Sequence, residues 1–379
     1  MKGFLITHKG TEEIAALEIK ELIGKKAKTT ESAVVFDIKE HEELFKLCYQ
    51  SQSSMGIYYL LSEFNYTNIF ADFKKNIQKT NFAEWLSKKS TFRVKCRKIQ
   101  ETDMSTPELE KEFGALIIDH IQKKHNYKQK VDLENPDIII FVYLTKNKCY
   151  LGIDFAGFDL SKRAFNIFMH PAAVKGTIAY SLIRLSSFNK NETLLDTFSG
   201  SGNIPIEAAL FSSDLPVNFY NKEKFLFLKF EKFKSYNFKK FFEKIDGKIQ
   251  SKKSKIYNID NSMKHLNYAK KNSKIAGADK KINFSRIDIE WLDTKFDKGK
   301  IDKIVTKIPS LNTKDINKIY NEFFYQADFV LNKKGKIVLI GNKALIEKFA
   351  PKYKFKIADE TNIFSGKEEY DVFVIVKYK

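Results

Sequence analysis

The sequence predicts an α/β protein with a largely parallel sheet in its second half and an α+β arrangement in its first half. In the second half, apolar strand patterns alternate regularly with helix-length segments from about residue 171 to the end. In addition, an apolar run that ends at Asp196 enters the turn Gly200-Ser201-Gly202, and a predicted helix follows. A strand, a glycine turn and a helix in this order are typical of α/β proteins that bind nucleotide-like cofactors.

The first half is predicted to alternate short strands and helices. Thr11 followed by two glutamates is typical of a helix start, because the hydroxyl caps the helix and the acids favour its N-terminal dipole. Apolar residues at i+4 steps predict one buried stripe on a later helix. The predicted strands span 4–8, 33–38, 92–97, 137–143 and 149–154, and the predicted helices span 11–22, 41–50 and 107–124.

The second half is predicted to hold six strands, separated by helices and preceded by a linker over 156–170. Asp196 ends the first of these strands, Asp260 ends the second, and Asp288 follows the third. Ligands bind at the carboxyl ends of strands in open parallel sheets, so we expect these acids to lie in one pocket. Each acid alone is equally well interpreted as a helix cap or a surface acid. The six predicted strands span 192–196, 255–260, 281–285, 301–306, 335–341 and 370–378.

The glycine turn favours one class of cofactor. It allows the backbone to approach a ligand closely, but it has neither the lysine of a phosphate loop nor the third glycine of a dinucleotide site. A cofactor without a polyphosphate, such as S-adenosylmethionine, fits better. Asp196 with the turn is then expected to hold the methionine end, Asp260 the ribose hydroxyls and Asp288 the adenine amine.

The composition points to a polyanionic partner. The chain has 66 Lys and Arg against 47 Asp and Glu, a formal net charge of +19, and such a balance favours phosphate contacts. A genome-wide bias toward lysine codons is the alternative source of this charge. No apolar run reaches 18 residues and no signal peptide is evident, so we expect a cytoplasmic protein without a membrane span. The three separated cysteines are expected to be reduced core thiols, and no metal site is predicted.

One segment has an unusual composition. Residues 219–242 carry eight phenylalanines and two tyrosines among many lysines. Aromatic rings interleaved with cations are able to stack on bases and hold phosphates. An amphipathic insertion that packs on the sheet is the alternative, and we favour it.

The stretch Asp-Thr-Phe-Ser-Gly-Ser-Gly-Asn at 196–203, followed by Ile-Pro-Ile-Glu-Ala-Ala, resembles the first methyltransferase motif of the THUMP-domain RNA methyltransferases. The resemblance covers nearly the whole chain, including His-Lys-Gly-Thr-Glu at 8–12, Leu-Gly-Ile-Asp-Phe-Ala-Gly at 151–157 and His-Pro-Ala-Ala at 170–173. It implies a ferredoxin-like domain (1–60), a THUMP domain (61–155), the linker (156–170) and a Rossmann-like class I methyltransferase domain (171–379). It implies S-adenosylmethionine as cofactor, bound by Asp196, Phe198, Gly200, Gly202, Asn203, Asp260 and Asp288.

The fourth motif departs from this family. After the strand 301–306 the family carries Asn or Asp, then Pro or Leu, then Pro, then an aromatic residue, and these groups hold and stack on the target guanine. This chain has Lys307, Ile308, Pro309 and Ser310. Lys307 brings no acceptor and Ser310 brings no ring, so only Pro309 of the catalytic positions is kept.

The resemblance implies methyl transfer to the exocyclic N2 of a guanosine in tRNA, with the acceptor stem favoured. The alternative is an RNA-binding THUMP protein whose methyltransferase site is weak or inactive. A DNA adenine methyltransferase is a third class, which the THUMP-like half disfavours. The oligomeric state stays open. The candidate RNA-binding residues are Arg93, Lys95, Arg97, Lys162 and Arg163.

Overall fold

Two sheets, one in each half of the chain, organise the protein. The computed structural model describes residues 1–99, 103–251, 255–309 and 313–378. An eight-stranded sheet forms from the first half and a seven-stranded sheet from the second. None of the described helices has the length and apolar character needed to cross a membrane.

The first sheet is continuous across the two predicted N-terminal domains. Its strand order is β2-β3-β1-β4-β8-β7-β5-β6, so that β4 and β8 join the two parts. The predicted strands and helices of this half are all present, and the sequence analysis missed β2, α3, β4 and β6. The elements are β1 (Lys2–Ile6), α1 (Glu12–Ile23), β2 (Ala27–Thr30), β3 (Ala33–Asp37), α2 (Glu42–Gln50), β4 (Gly56–Asn65), α3 (Ile69–Ile77), β5 (Thr91–Lys98), α4 (Thr106–His125), β6 (Lys130–Val131), β7 (Ile138–Leu144) and β8 (Lys148–Asp154).

The second sheet is parallel over five strands and antiparallel at one edge. Its order is β11-β10-β9-β12-β13-β15-β14, and β15 runs antiparallel to both of its neighbours. All six predicted strands are present. The elements are α5 (Gly176–Leu185), β9 (Leu194–Asp196), α6 (Asn203–Ser213), α7 (Phe238–Asp246), β10 (Ile256–Asp260), α8 (Met263–Ile275), β11 (Ile282–Arg286), α9 (Leu292–Lys295), β12 (Ile301–Lys307), α10 (Thr313–Val330), β13 (Leu331–Ile340), α11 (Lys343–Phe349), β14 (Phe355–Ser365) and β15 (Glu368–Lys377).

The edge strand β14 is not predicted from the sequence. It buries only three of its eleven side chains, so its sequence lacks an apolar alternation. It pairs with β15 from Phe355–Lys377 to Ser365–Glu368, and the turn between them includes Gly366 at φ +66°. The resulting hairpin extends past β13 toward the carboxyl ends of the parallel strands, where it meets the first half of the chain through Lys9 and Phe364.

The aromatic segment 219–242 is a packing insertion, but it packs on the first half of the chain. The ring centroids of Phe227 and Phe45 lie 4.6 Å apart, and those of Phe242 and Tyr49 lie 4.9 Å apart. Most of its phenylalanines are buried within the hydrophobic core of the first sheet. The segment is part of the methyltransferase half by sequence, so its burial ties the two halves together and leaves its buried rings unable to stack on bases.

Candidate active site

The three predicted acids lie along one edge of the second sheet. Asp196 ends β9, Asp260 ends β10, and Asp288 follows β11 by two residues. These strands are adjacent and parallel in the order β11-β10-β9. The acids therefore lie at neighbouring carboxyl ends, as the sequence analysis expected, at the place where α/β sheets bind ligands.

The glycine turn between β9 and α6 depends on both of its glycines. Gly200 has φ +52° and donates its N–H to Oδ2 of Asp260 at 2.9 Å. Gly202 has φ +85°, and a Cβ built on it would lie 2.8 Å from the Cβ of Ala269 on α8. Left-handed backbone and this close approach both favour glycine. The turn thus brings the open N-terminus of α6 to the edge of the sheet.

Asp196 is a buried carboxylate without a cationic partner in the described part of the chain. Its side chain accepts a hydrogen bond from Oγ1 of Thr306 at 2.7 Å and a longer one from the N–H of Phe198 at 3.3 Å. Burial raises the pKa of Asp196 to about 7, although these two hydrogen bonds oppose the shift. A cationic ligand at this position would stabilise the ionised carboxylate.

Asn203 carries a second acceptor in the same place. Its Nδ2 donates to the carbonyl of Val174 at 2.6 Å, while its Oδ1 has no hydrogen-bond partner among the described residues although the residue is only 4% exposed. A cavity of about 60 Å³ is lined by Asp196, Gly200 and Asn203. A carboxylate and an unpaired amide oxygen beside a helix N-terminus fit an amino-acid group with both charges, such as the methionine end of the predicted cofactor.

A second cavity adjoins the first through the half-buried Phe198, which lines both. It has a volume of about 290 Å³ and is also lined by Asp288. Asp288 caps the following turn by accepting from the N–H of Glu290, and its other oxygen accepts from Asn261 at 3.2 Å. Asp260 accepts from Gly200 and from the N–H of Ser262, at 2.9 Å each. The contact of Asp260 with the ribose of the cofactor and the contact of Asp288 with its adenine stay predictions.

Lys307 ends β12 beside the first cavity. Its Nζ donates to the carbonyl of Ala172 at 3.0 Å and lies 5.0 Å from the centroid of the Tyr370 ring. Desolvation lowers the pKa of Lys307. Pro309 lines the same cavity, whereas Ser310 falls outside the described residues.

A larger cleft opens on the other side of Lys307. This target cleft has a volume of about 720 Å³ and is lined by Lys307, Ile308, Pro309, Tyr320, Glu368 and Tyr370, among others. Glu368 and Tyr370 could not be predicted from the sequence, because no local pattern marks them. They come from the β14–β15 hairpin, about 60 residues from the fourth motif. Lys307 and Pro309 line both the small cofactor-side cavity and the target cleft.

The predicted basic strand residues share one face of the first sheet. Arg93, Lys95 and Arg97 are half-buried, and the intervening Phe92, Val94 and Cys96 are buried on the other face. The predicted strand 92–97 therefore has one buried face and one half-buried basic face. Nη1 of Arg93 donates to the carbonyl of Leu133 at 2.5 Å, and Nη1 of Arg97 approaches Sδ of Met55 at 3.4 Å. RNA binding by these residues stays a prediction.

Lys162 and Arg163 are adjacent in the linker but differ in environment. Lys162 is exposed, whereas the Arg163 side chain is 3% exposed and its Nε donates to Oε1 of Glu207 at 2.7 Å. Arg163 also donates to the carbonyls of Leu160 and Gln52, at 2.6 Å each. This burial disfavours the predicted RNA contact of Arg163, because its charge is paired inside the junction of the two halves. The three cysteines are free and buried, as predicted.

Comparison with known proteins identifies both halves. Residues 163–370 match the RMKL-like methyltransferase domain, and residues 68–154 match the THUMP domain. A tRNA (guanine(6)-N2)-methyltransferase of Methanocaldococcus jannaschii is 30% identical over 98% of this chain and 96% of its own length.

Two solved structures share the fold over the whole chain. A possible methylase from Clostridium difficile 630 superposes with a TM-score of 0.84 at 20% identity, covering 100% of this chain and 98% of that one. The putative methyltransferase SMU.472, solved with S-adenosylhomocysteine, gives a TM-score of 0.82 at 18% identity with the same coverage. With the acid-lined edge and the glycine turn, these matches establish that the chain belongs to the THUMP-containing RMKL-like methyltransferases, which use S-adenosylmethionine.

Proposed function

We propose that this protein transfers a methyl group from S-adenosylmethionine to the exocyclic N2 of a guanosine in tRNA. The observation that carries the proposal is the position of Lys307 and Pro309, which separate the cofactor-side cavity from the target cleft. A methyl donor and a flipped base bound on the two sides would meet there. The similarity to a tRNA (guanine(6)-N2)-methyltransferase over almost the full length supports the choice of tRNA and of N2.

The residues of this chain have distinct tasks in that reaction. The bound cofactor supplies an electrophilic methyl group on a sulfonium. Asp196 and Asn203 hold the amino-acid end of the cofactor, and Asp260 fixes the glycine turn through Gly200. The target cleft receives the flipped base and excludes water around its reacting edge.

In this proposal the first half of the chain binds the tRNA. Its THUMP domain binds the CCA end, so that the fixed distance to the target cleft selects a guanosine in the acceptor stem. The burial of most phenylalanines of segment 219–242 in the core of the first sheet supports a constant distance between the two halves. Arg93, Lys95, Arg97 and Lys162 are the candidate phosphate contacts. A tRNA substrate places the protein in the cytoplasm.

Lys307 favours a second candidate function, a tRNA-binding protein with little or no transfer activity. Its ammonium stands where the family has a side-chain acceptor for the target amine. A cation at that position opposes the positive charge that develops on the nitrogen.

Purified protein with labelled cofactor and total tRNA separates these functions. We expect N2-methylguanosine in the digested tRNA by mass spectrometry, and we expect Asp260→Ala to abolish transfer with tRNA affinity unchanged. Binding of both cofactor and tRNA without transfer would support the second candidate, especially if Lys307→Asn with Ser310→Tyr produced activity. Absence of cofactor binding would exclude the methyltransferase function.

A further inference from the structure

Two opposite charges line the target cleft. Lys307 enters it from the end of β12, and Glu368 enters it from the first residue of β15. The cleft volume of about 720 Å³ lies within the range of roughly 300–1,000 Å³ that is usual for small-ligand sites. No ion pair within 4.0 Å joins these two side chains in the described structure. Both charges are thus available to a ligand in the cleft.

Glu368 is held in place although it is exposed. The hydroxyl of Tyr370, two residues along the same strand, donates to Oε2 of Glu368, and the Tyr370 side chain is 8% exposed. The hairpin itself is fixed, because Phe364 donates its N–H to the carbonyl of Lys9 at 3.0 Å and Gly341 donates to Asp371 at 3.3 Å. Within the described residues, Oε1 of Glu368 accepts no hydrogen bond.

Lys307 is held by Ala172, which lines the cofactor-side cavity. Its Nζ donates one hydrogen bond, to Ala172, and rests over the Tyr370 ring. An ammonium group has three donors, and within the described part of the chain two of them have no acceptor and remain for a ligand. Tyr370 therefore contacts both charges, one through its ring and the other through its hydroxyl.

The Watson–Crick edge of guanine complements this pair. It presents the O6 acceptor beside the N1–H and N2–H₂ donors, whereas adenine presents a donor at N6 and an acceptor at N1. When position 6 of the base faces the cation and position 1 faces the carboxylate, the pair therefore attracts guanine, whereas adenine presents a group of the wrong polarity to each charge. Enzymes that flip a base read this edge through such hydrogen bonds.

We propose that Glu368 accepts from N1–H and N2–H₂ of the flipped guanine while Lys307 donates to O6. Tyr370 acts as a positioning residue that orients the Glu368 carboxylate. The inference rests on the proposed function and assigns the missing acceptor of the fourth motif to the β14–β15 hairpin. It also gives Lys307 a role that a degenerate site would not have.

The test measures binding of two nucleotides to protein saturated with S-adenosylhomocysteine. Guanosine monophosphate presents the full edge, while 2,6-diaminopurine riboside monophosphate keeps the N2 amine and reverses the polarity at positions 1 and 6. We expect the wild type to prefer guanosine by roughly 10- to 100-fold, the discrimination given by a good bidentate contact. Glu368→Gln should bring the ratio of the two affinities to within a few-fold of one, because the amide can donate to the N1 acceptor of 2,6-diaminopurine.

The controls separate recognition from folding. Glu360→Gln removes the same charge on the same hairpin, where Glu360 pairs with Lys343 outside the cleft, and should keep the wild-type ratio. Tyr370→Phe keeps the ring and should lower the ratio less than Glu368→Gln does. Should Glu368→Gln fail to fold, Glu368→Asp keeps the charge at a shorter reach and is expected to weaken the preference.

Each outcome bears on the proposal. A wild type without a preference for guanosine, or a Glu368→Gln ratio within twofold of wild type, would overturn it, even if the enzyme methylates guanosine in tRNA. A preference that depends on Glu368 in a protein that methylates no tRNA would support the recognition pair and refute the proposed function.

Discussion

Asp196 at the cofactor edge and Glu207 at the junction of the two halves are both fully buried carboxylates, but only one has a cation beside it. Arg163 pairs with Glu207 at 2.7 Å, and Gln52 donates to the other oxygen of Glu207. Asp196 has hydrogen-bond donors but, in the described part of the chain, no cationic neighbour. The pKa of each is raised, first by burial.

The difference separates a structural charge from a functional one. Burying a carboxylate is costly unless a partner compensates it. At the junction the protein provides the partner, so the pair links the linker to α6 permanently. At the cofactor edge the partner is missing from the described chain, and we propose that the ammonium of the cofactor supplies it. If partner and role are connected in this way, changing a carboxylate or its partner has measurable consequences.

The largest effect is expected from Arg163→Ala. The change leaves the Glu207 charge buried without its partner, which costs about 3–5 kcal/mol in the free energy of unfolding. Urea denaturation followed by circular dichroism measures it. Lys162→Ala is the matched control, because this neighbouring cation is exposed and its removal should change stability by less than about 0.5 kcal/mol.

An Arg163→Ala protein of unchanged stability would contradict the structural role of the pair. If that protein also bound tRNA more weakly, Arg163 would instead be an RNA contact, as the sequence analysis first suggested.

The next effect is the pH dependence of cofactor binding. A cation favours the ionised form of Asp196, whose pKa is about 7 in the free protein, so affinity should rise as the pH rises through 7. We expect the Kd for S-adenosylhomocysteine to be roughly 10- to 30-fold weaker at pH 5.5 than at pH 7.5. Calorimetry at both pH values provides the measurement.

Two variants identify the titrating group. Asp196→Asn should bind weakly at both pH values and lose the dependence. His170→Gln removes the histidine that lines the same cavity and should keep the dependence. A pH profile that disappears with His170 rather than with Asp196 would show that the carboxylate is not the group that meets the cofactor.

A smaller effect is expected from Thr306→Val. The buried Thr306 hydroxyl donates to Asp196, so its removal withdraws support from the ionised carboxylate and raises the pKa of Asp196 further. The midpoint of the pH profile should move upward by about one unit. Thr197→Val is the control, since Thr197 is buried next to Thr306 but makes no hydrogen bond to Asp196. An unmoved midpoint would mean that the hydroxyl does not stabilise the charge.

The cofactor edge was predictable from the sequence because its parts are local. The apolar run before Asp196, the glycines and Asn203 lie within a few residues of one another, and the strand pattern places Asp260 and Asp288 beside them. Whether such a carboxylate is partnered was not predictable. Glu207 was not singled out, and Arg163 appeared to be a surface cation until the fold brought it against Glu207.

The target cleft was predictable only in part. The fourth motif fixed Lys307 and Pro309, but Glu368 and Tyr370 reach the cleft through a hairpin whose outer strand has no apolar alternation. The burial of segment 219–242 could not be predicted for a similar reason. Aromatic residues mixed with lysines suit a base-stacking surface or a buried insertion equally, and only the contact of Phe227 with Phe45 decides between them.

The smallest predicted effect concerns Lys95, a cation of the first sheet that forms no ion pair within 4.0 Å among the described residues, although its charge opposes the rise in pKa that burial causes at Asp154. Lys95 lies in register with Phe141 of β7, and among the described residues its side chain makes no hydrogen bond, unlike Arg93. If Lys95 meets a tRNA phosphate, Lys95→Ala should lower the slope of log Kd against log salt concentration by about 0.7–1. Lys111→Ala on the exposed surface of α4 is the control and should leave the slope unchanged. Equal slopes for both variants would place the tRNA on another face of the protein. A charge without an ion-pair partner would then indicate a ligand only where the charge is also buried, as it is at Asp196.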